Sequence, residues 1–495
     1  MLKTLLPMWR PRERELPASA FVMDPEYVTA PAPRILWIEL TSKCPFDCVF
    51  CTRRTRFGAG RNMDFEIFRR VIGELDAPDF ISLNYSGESI YYPRLPEAIQ
   101  LAAATGASTE VVTAFSSISP SVLREIVESD LDRLAVSLHT MDPRQYQQIY
   151  KFGSLDRLKQ RVDEFLKLRS DLGKVKPRLD FCFVAMHDNL DQLGPVAEYA
   201  RSVGAVELGI HPIIGRHLVA QDFSKELAAN RLREEFKDAL RRTVASVEAA
   251  QPGLTLNVLN PDLDPAPRLS HTPGYFSPLL PEHARIHTCD QSPFESAHIL
   301  ATGNVVVCEV LDEIPMGNLA DQSLREIWHG EGYREFRRKY VNGGVPECRS
   351  CVWKKPYIPG AWSSAIIVAD GMSPQLLLGW HAHEGNEIIW SKKQALLALS
   401  NSGRKKKIRI AGALPPGFMG GSNLLKIRCN RVTVGEIRND TKDFLNFETT
   451  LPLPQVWDRL YLELVTTYPH RPCLHGSSAD SRDLGFALQR IEAFG

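Results

Sequence analysis

No stretch of this 495-residue chain approaches eighteen consecutive apolar residues, so the sequence predicts no membrane-spanning helix. It has no excess of charge: 59 Lys and Arg balance 59 Asp and Glu, which argues against nucleic acid or an anionic membrane as main partner. The apolar run at the start, Met1 to Pro7, is too short for a secretory signal before Trp9 and the charged Arg10–Arg14 stretch intervene. Cysteine is scarce too. Ten in a chain this long are no secreted disulfide framework, and their bunching points instead to metal and a reducing cytoplasm. What is present is ordinary globular material, 44% hydrophobic and 24% charged, long enough for two or three domains.

Against that background stands Cys44-Pro-Phe-Asp-Cys48-Val-Phe-Cys51, directly after the apolar run Ile35–Leu40. Thiolates are soft ligands for iron–sulfur clusters or zinc. A four-iron cluster takes four ligands and only three are supplied, so one iron stays open for something else. A structural zinc knuckle wants C-x2-C pairs and a complete ligand set. The C-x3-C-x2-C spacing, with Phe50 before the last cysteine, resembles the cluster motif of the radical S-adenosylmethionine (radical SAM) enzymes. That resemblance implies a [4Fe–4S] cluster whose open iron chelates S-adenosylmethionine. It further implies reductive cleavage to a 5′-deoxyadenosyl radical, and an electron donor such as flavodoxin or ferredoxin.

From Ile35 onward, strands alternate with amphipathic helices: Ile35–Leu40, Phe80–Tyr85, Thr109–Thr113, Arg133–His139, Arg178–Ala185 and Val206–Pro212. Six strand–helix units predict parallel α/β architecture, an incomplete (β/α)6 TIM-like barrel over residues 34–215. The radical SAM family uses the same partial barrel. Strand alternation proposes a polar lining of Trp37, Glu39 and Thr41, Ser137 and His139, Asp180 and Cys182, then Glu207, Gly209 and His211. Polar groups there would be costly in a dry core but suit a cavity.

Several positions follow from the resemblance. Ser86-Gly87-Glu88 resembles the family's Gly-Gly-Glu element, which implies that Gly87 and Glu88 hold the cofactor's ammonium group. Thr113-Ala-Phe115 stands where the family has Thr-Asn-Gly. Ser137 and Asn189 match positions that meet the cofactor, and Phe50 of the cluster loop is expected to meet it too. Cys182 is the unclustered cysteine of the predicted barrel and a candidate hydrogen-atom donor, with plain packing as the alternative.

A second group, Cys289, Cys308, Cys348 and Cys351, lies in an expected segment at 286–360 after a helical and linker region at 216–285. Gly303-x4-Cys308, Met316-Gly-Asn-Leu319 and Cys348-x2-Cys351 resemble the auxiliary-cluster module of the SPASM and twitch subfamilies. Four cysteines imply a second, fully ligated [4Fe–4S] cluster, although zinc uses the same number. Residues 1–33 read as an extension.

From 365 to 495, short alternating stretches between Gly, Pro and Asn turns predict an antiparallel β-sandwich. It resembles sandwiches appended to bacterial glycosyltransferases and methyltransferases. Trp380 and Trp390 could stack on sugar rings beside Glu384, or could simply be core tryptophans. The expected function is a radical SAM enzyme oxidising or epimerising a sugar or polyol-type conjugate. A peptide-modifying SPASM maturase is the alternative, and a non-catalytic metal-stabilised glycan-binding protein the remote one.

Overall fold

The computed structural model describes residues 30–212, 234–258 and 285–495, apart from positions 31, 52, 54–57, 290, 342–343, 352–353, 358–362, 372, 374, 382, 384–386, 418–421, 431, 458, 471, 473–481 and 483. Seven parallel strands run in sequence: β1 (Ile35–Ile38), β2 (Phe80–Ser82), β3 (Ser108–Thr113), β4 (Arg133–Ser137), β5 (Arg178–Ala185), β6 (Glu207–Pro212) and β7 (Thr255–Val258). Helices α1 (Phe65–Glu74), α2 (Leu95–Ala104), α3 (Pro120–Glu128), α4 (Pro143–Tyr150), α5 (Leu155–Asp171), α6 (Leu193–Ser202) and α7 (Glu234–Ala250) fill the crossovers. Several begin where the sequence supplies a cap. Asp64, Ser119, Asp142 and Ser154 each accept a backbone N–H in the first turn.

The alternation of the strands is as the lining requires. Leu36, Ile38, Val136, Leu138, Phe181, Phe183, Leu208 and Ile210 are fully buried on the helix side. Ser137, Cys182 and Gly209 stand level across β4, β5 and β6 on the other. Beneath them lies an ionic floor: Arg133 pairs with Glu110, with Asp180 (2.8 Å) and with Glu207 (3.1 Å). Burial alone would strip its charge, but Glu110, Glu207, Cys182 and Asp180 around it hold the guanidinium protonated.

The sheet does not stop at the expected six strands. β7 extends one edge, and after β8 (Arg285–Cys289) the other edge receives β9 (Ser296–Ile299), which pairs in parallel with β1. The hairpin of β10 (Asn304–Val306) and β11 (Pro315–Asn318) completes a ten-stranded sheet. The expected segment at 286–360 is therefore divided. Among the described residues, the first compact unit takes everything up to 258 with Gln291–Arg338, and the second takes 285–289 with Lys339–Gly495. The cause is physical: the open edge of β1 has unpaired backbone groups, and Ser296–Ile299 satisfies them.

In the second unit, β12 (Lys354–Tyr357) pairs with β8. Strands β13 (Ala365–Ile367), β14 (Leu376–Trp380), β15 (Ile389–Ser400), β16 (Lys407–Leu414), β17 (Asn423–Cys429), β18 (Val432–Asn439), β19 (Leu445–Pro452), β20 (Arg459–Thr466) and β21 (Ala487–Phe494) form one antiparallel sheet. It has two faces because β15 is long enough to serve both. Ile389 and Trp390 pair with β21, whereas Gln394–Ser400 pairs with β20. The faces enclose one core including Leu397, Leu425, Leu462, Phe486 and Ile491. The outer strands β18 and β19 approach where Gly435 meets Leu451, so the layer is nearly a barrel. Trp380 joins that core, its indole donating to the Leu396 carbonyl (2.9 Å) and its ring edge-on to Phe486. Trp390 instead packs against the half-exposed Phe444, and Glu384 lies outside the described residues. Among the described residues, no helix is long and apolar enough to cross a membrane.

Candidate functional site

The cysteine loop leaves the C-terminal end of β1, where parallel sheets present their ligand-binding loops. Its two flanks are tied together. The Ser42 N–H donates to the Arg61 carbonyl, and the Arg61 N–H returns a bond to Ser42 Oγ (both 2.9 Å). Within it the Cys51 N–H donates to the Cys48 carbonyl (3.0 Å). The loop leans on the end of α4, through Asp47 and Val49 N–H donating to the Tyr150 and Ile149 carbonyls. Cys44 and Cys48 are half-buried and Cys51 is exposed.

These thiols sense one another. Burial, then Glu88, pushes Cys44 up to about 12, with a further contribution from Cys51. Burial, then Cys51 and Cys44, pushes Cys48 well above the ordinary thiol range. Three mutually repelling sulfurs gathered on one loop suit a multi-iron cluster, which takes each sulfur on a different iron.

Gly87 and Glu88 stand against this loop. A Cβ on Gly87 would lie 2.8 Å from the Lys43 carbonyl oxygen and closer still to that of Thr41. Only glycine allows that approach. The Glu88 N–H donates to the Lys43 carbonyl (2.8 Å). Its Oε2 accepts from the Ala114 N–H (2.8 Å), while Oε1 is buried with no hydrogen-bond partner. Burial pushes this carboxyl up to about 7. A buried carboxylate oxygen lacking a donor, beside thiolates, fits an incoming ammonium. The cofactor implied by the sequence therefore fits the residues present. Glu88→Gln should retain its iron but lose tenfold or more in S-adenosylmethionine affinity, since a bond to a charged group contributes about 1.5–3 kcal/mol. Calorimetric titration giving wild-type affinity would detach Glu88 from the ligand.

The other expected positions divide. Phe50 sits edge-on to His139, ring centroids 5.0 Å apart. His139 is buried, and its Nδ1 accepts from the Val184 N–H (3.1 Å), which leaves Nε2 to carry the proton of the neutral ring. Burial, then His211, pulls its titration down to about 3. Ser137 keeps its inward register, its carbonyl accepting from Tyr150 Oη (2.7 Å). Asn189 has another task. It is fully buried, with Oδ1 accepting from the Met186 N–H and Nδ2 donating to the His139 and Val184 carbonyls, so it braces the ends of β4 and β5. Cys182 is enclosed, and burial pushes it up to about 12.

Sequence reasoning missed α4. Tyr146 stacks on Tyr150 (4.3 Å) and Tyr150 lies parallel to His139 (5.2 Å), a column backing the cysteine loop. Asp142-Pro143 is a helix-start signal that could have revealed it. Thr113-Ala114-Phe115 supports Glu88 through the Ala114 N–H. Phe115 adopts φ 62°, the left-handed conformation, where the radical SAM family has glycine.

Of the second cysteine group, Cys308 belongs to the first unit and Cys289, Cys348 and Cys351 to the second. Cys308 follows β10 in the first unit, beyond the turn in which Gly303 takes φ 83°. In the second unit, Cys289 ends β8 and Cys348 and Cys351 bracket a helical turn, the Cys351 N–H donating to the Cys348 carbonyl (3.3 Å). Buried Tyr340 lies near all three: burial, then Cys289, Cys348 and Cys351, push its phenol well above the ordinary range. Soft, enclosed thiols around one phenol fit an iron–sulfur cluster.

Comparison with known proteins agrees with this geometry. Residues 38–178 match the model of the radical SAM superfamily, and residues 289–352 match SPASM, an iron–sulfur cluster-binding domain. A PqqA peptide cyclase of Ruegeria pomeroyi is 27% identical over 337 residues, covering 66% of this chain and 81% of that protein. A tungsten-containing aldehyde ferredoxin oxidoreductase cofactor-modifying protein of Pyrococcus furiosus is 20% identical, over 64% of this chain and 87% of its own length. Among solved structures, Streptococcus suis SuiB bound to precursor peptide SuiA aligns with TM-score 0.49 at 14% identity, covering 66% of this chain and 71% of that one.

Proposed function

Because this chain is a radical SAM enzyme with a SPASM iron–sulfur domain, we propose that it abstracts hydrogen from a peptide or protein substrate and modifies it oxidatively. Bound at Cys44, Cys48 and Cys51, a [4Fe–4S] cluster with S-adenosylmethionine supplies a 5′-deoxyadenosyl radical on reduction. The observation that carries the reading is the three-cysteine loop faced by the unpartnered buried oxygen of Glu88. Gly87 lets the backbone approach, Glu88 orients the ammonium, and Phe50 with the His139–Tyr150 column closes one side against water. Auxiliary iron–sulfur chemistry belongs to the Cys289, Cys308, Cys348 and Cys351 group, which would accept an electron from the substrate.

Peptide is favoured over sugar by the relatives, whose names describe peptide cyclases and a cofactor-modifying protein. The expectation of a sugar or polyol leaned on the β-sandwich, and a fold does not fix a substrate. Trp380 is committed to the core, which removes one of the two proposed sugar platforms. The test is deuterium transfer. With reconstituted enzyme, reductant and S-adenosylmethionine, deuterated peptide pools should label 5′-deoxyadenosine and deuterated sugar conjugates should not. The reverse pattern restores the sugar reading, and no 5′-deoxyadenosine from either pool overturns both.

Oxidative modification needs no hydrogen-atom donor from the protein, whereas epimerisation does. Cys182→Ala should therefore keep both 5′-deoxyadenosine formation and product. Continued cofactor cleavage with loss of product would make this enclosed thiol the donor and the reaction an epimerisation.

A further inference from the structure

Arg53 lies two residues beyond the last cysteine of the loop and is only 5% exposed. Its Nη1 donates to the Ser42 carbonyl (3.1 Å) and to the Gly58 carbonyl (3.2 Å), one on each flank of the cysteine loop. The backbone is pressed together there, since a Cβ on Gly60 would lie 2.6 Å from the Ser42 carbonyl carbon. Among the described residues no carboxylate pairs with this guanidinium. A buried cation with no counter-charge is expensive, and it is tolerated where an anion completes it.

We infer that Arg53 is a positioning residue whose fixed positive charge eases reduction of the cluster held by Cys44, Cys48 and Cys51. The inference rests on the cluster reading above. Three thiolates make that site anionic, and one-electron reduction adds another negative charge. A cation within the loop stabilises the reduced form more than the oxidised one, and charge near a cluster is among the factors that set its potential. Arginine suits the place because one guanidinium nitrogen, Nη1, carries two N–H groups and reaches both carbonyls. Nothing in the C-x3-C-x2-C spacing specifies a residue at this position.

The test is a potentiometric titration of the reconstituted wild-type enzyme and of Arg53→Gln and Arg53→Lys, followed by electron paramagnetic resonance. The relevant signal is the one that changes when S-adenosylmethionine is added. Arg53→Gln should keep its iron and lower the reduced-to-oxidised ratio at fixed potential about tenfold, a shift of about 59 mV for one electron. Arg53→Lys keeps the charge and should stay near wild type. An unshifted Arg53→Gln midpoint overturns the inference. So does an Arg53→Lys midpoint as low as that of Gln, or loss of iron in both variants, which would leave Arg53 a mere staple of the loop. If Gln alone loses iron, an Arg53→Lys midpoint about 59 mV or more below that of the wild type overturns the inference. A wild-type enzyme whose signal ignores S-adenosylmethionine would instead defeat the cluster reading itself.

Discussion

Replacing Cys44, Cys48 and Cys51 together by Ala should halve the iron of the anaerobically reconstituted protein, from about eight atoms per chain to about four. All 5′-deoxyadenosine formation should vanish with it. The expected size of the effect follows from where the thiols sit. The three cysteines share one loop between β1 and α1, tied at both flanks by Ser42 and Arg61, and burial together with Cys51 raises the titration of Cys44 and Cys48. Thiolates are the ligands, so binding must overcome the burial that holds Cys44 and Cys48 protonated, and only a strongly bound cationic cluster repays that cost. The remaining iron should stay with Cys289, Cys308, Cys348 and Cys351. About four irons falling to none, with zinc retained, would leave the radical core standing but make the second site structural. Oxidation of substrate would then lack its electron acceptor. Iron unchanged in the triple variant would sink the assignment of this loop altogether.

How far the sequence reached depended on the range of each interaction. The cysteine loop was legible because cluster chemistry demands close spacing along the chain. The lining was legible because a strand has period two: Ser137 and Cys182 fall on the inward face as soon as Val136 and Phe181 are taken as helix-side packing. The ionic floor was half visible. Asp180 and Glu207 were placed inward, but their partner Arg133 stands level with its other carboxylate, Glu110, across β3 and β4, and that cross-strand pairing is not written in either strand alone. The pairing of Ser296–Ile299 with β1 joins residues some 260 positions apart in sequence, and no local pattern encodes it. Asn189 was expected against cofactor, yet its amide is taken up by three backbone groups, which is what a loop needs when two strand ends must be held in register. In the second unit, alternation gave β15, β16, β17, β18 and β20 but not β13, β14, β19 or β21, nor the way one long strand, β15, serves both faces. That depends on where it bends between Trp390 and Gln394.

Gly87→Ala should weaken S-adenosylmethionine binding about tenfold or more, although it adds one methyl group and touches no metal. The added Cβ would lie 2.8 Å from the Lys43 carbonyl oxygen and nearer still to that of Thr41. Both are backbone atoms at the root of the cysteine loop, so no rotamer change relieves the clash. Forcing a methyl into a packed site costs about 1–3 kcal/mol, and a backbone obstacle puts this one at the upper end. The chain can relax only by moving residues 86–88 away from residues 41–43. That motion breaks the Glu88 N–H bond to Lys43 and carries the Glu88 carboxylate off its Ala114 anchor. Affinity for S-adenosylmethionine should fall about tenfold or more, equivalent to at least about 1.4 kcal/mol. Iron content should hold, because the thiols are not displaced from their own loop. Gly194→Ala is the matched control, since its Cβ would meet only Val247 Cγ2 at 4.0 Å, and a helical alanine there should if anything stabilise α6. Equilibrium binding of S-adenosylmethionine to both variants settles the point. Equal affinities would mean that residues 41–43 and 86–88 are free to part without consequence, and that the close approach of these two backbones serves packing rather than the cofactor.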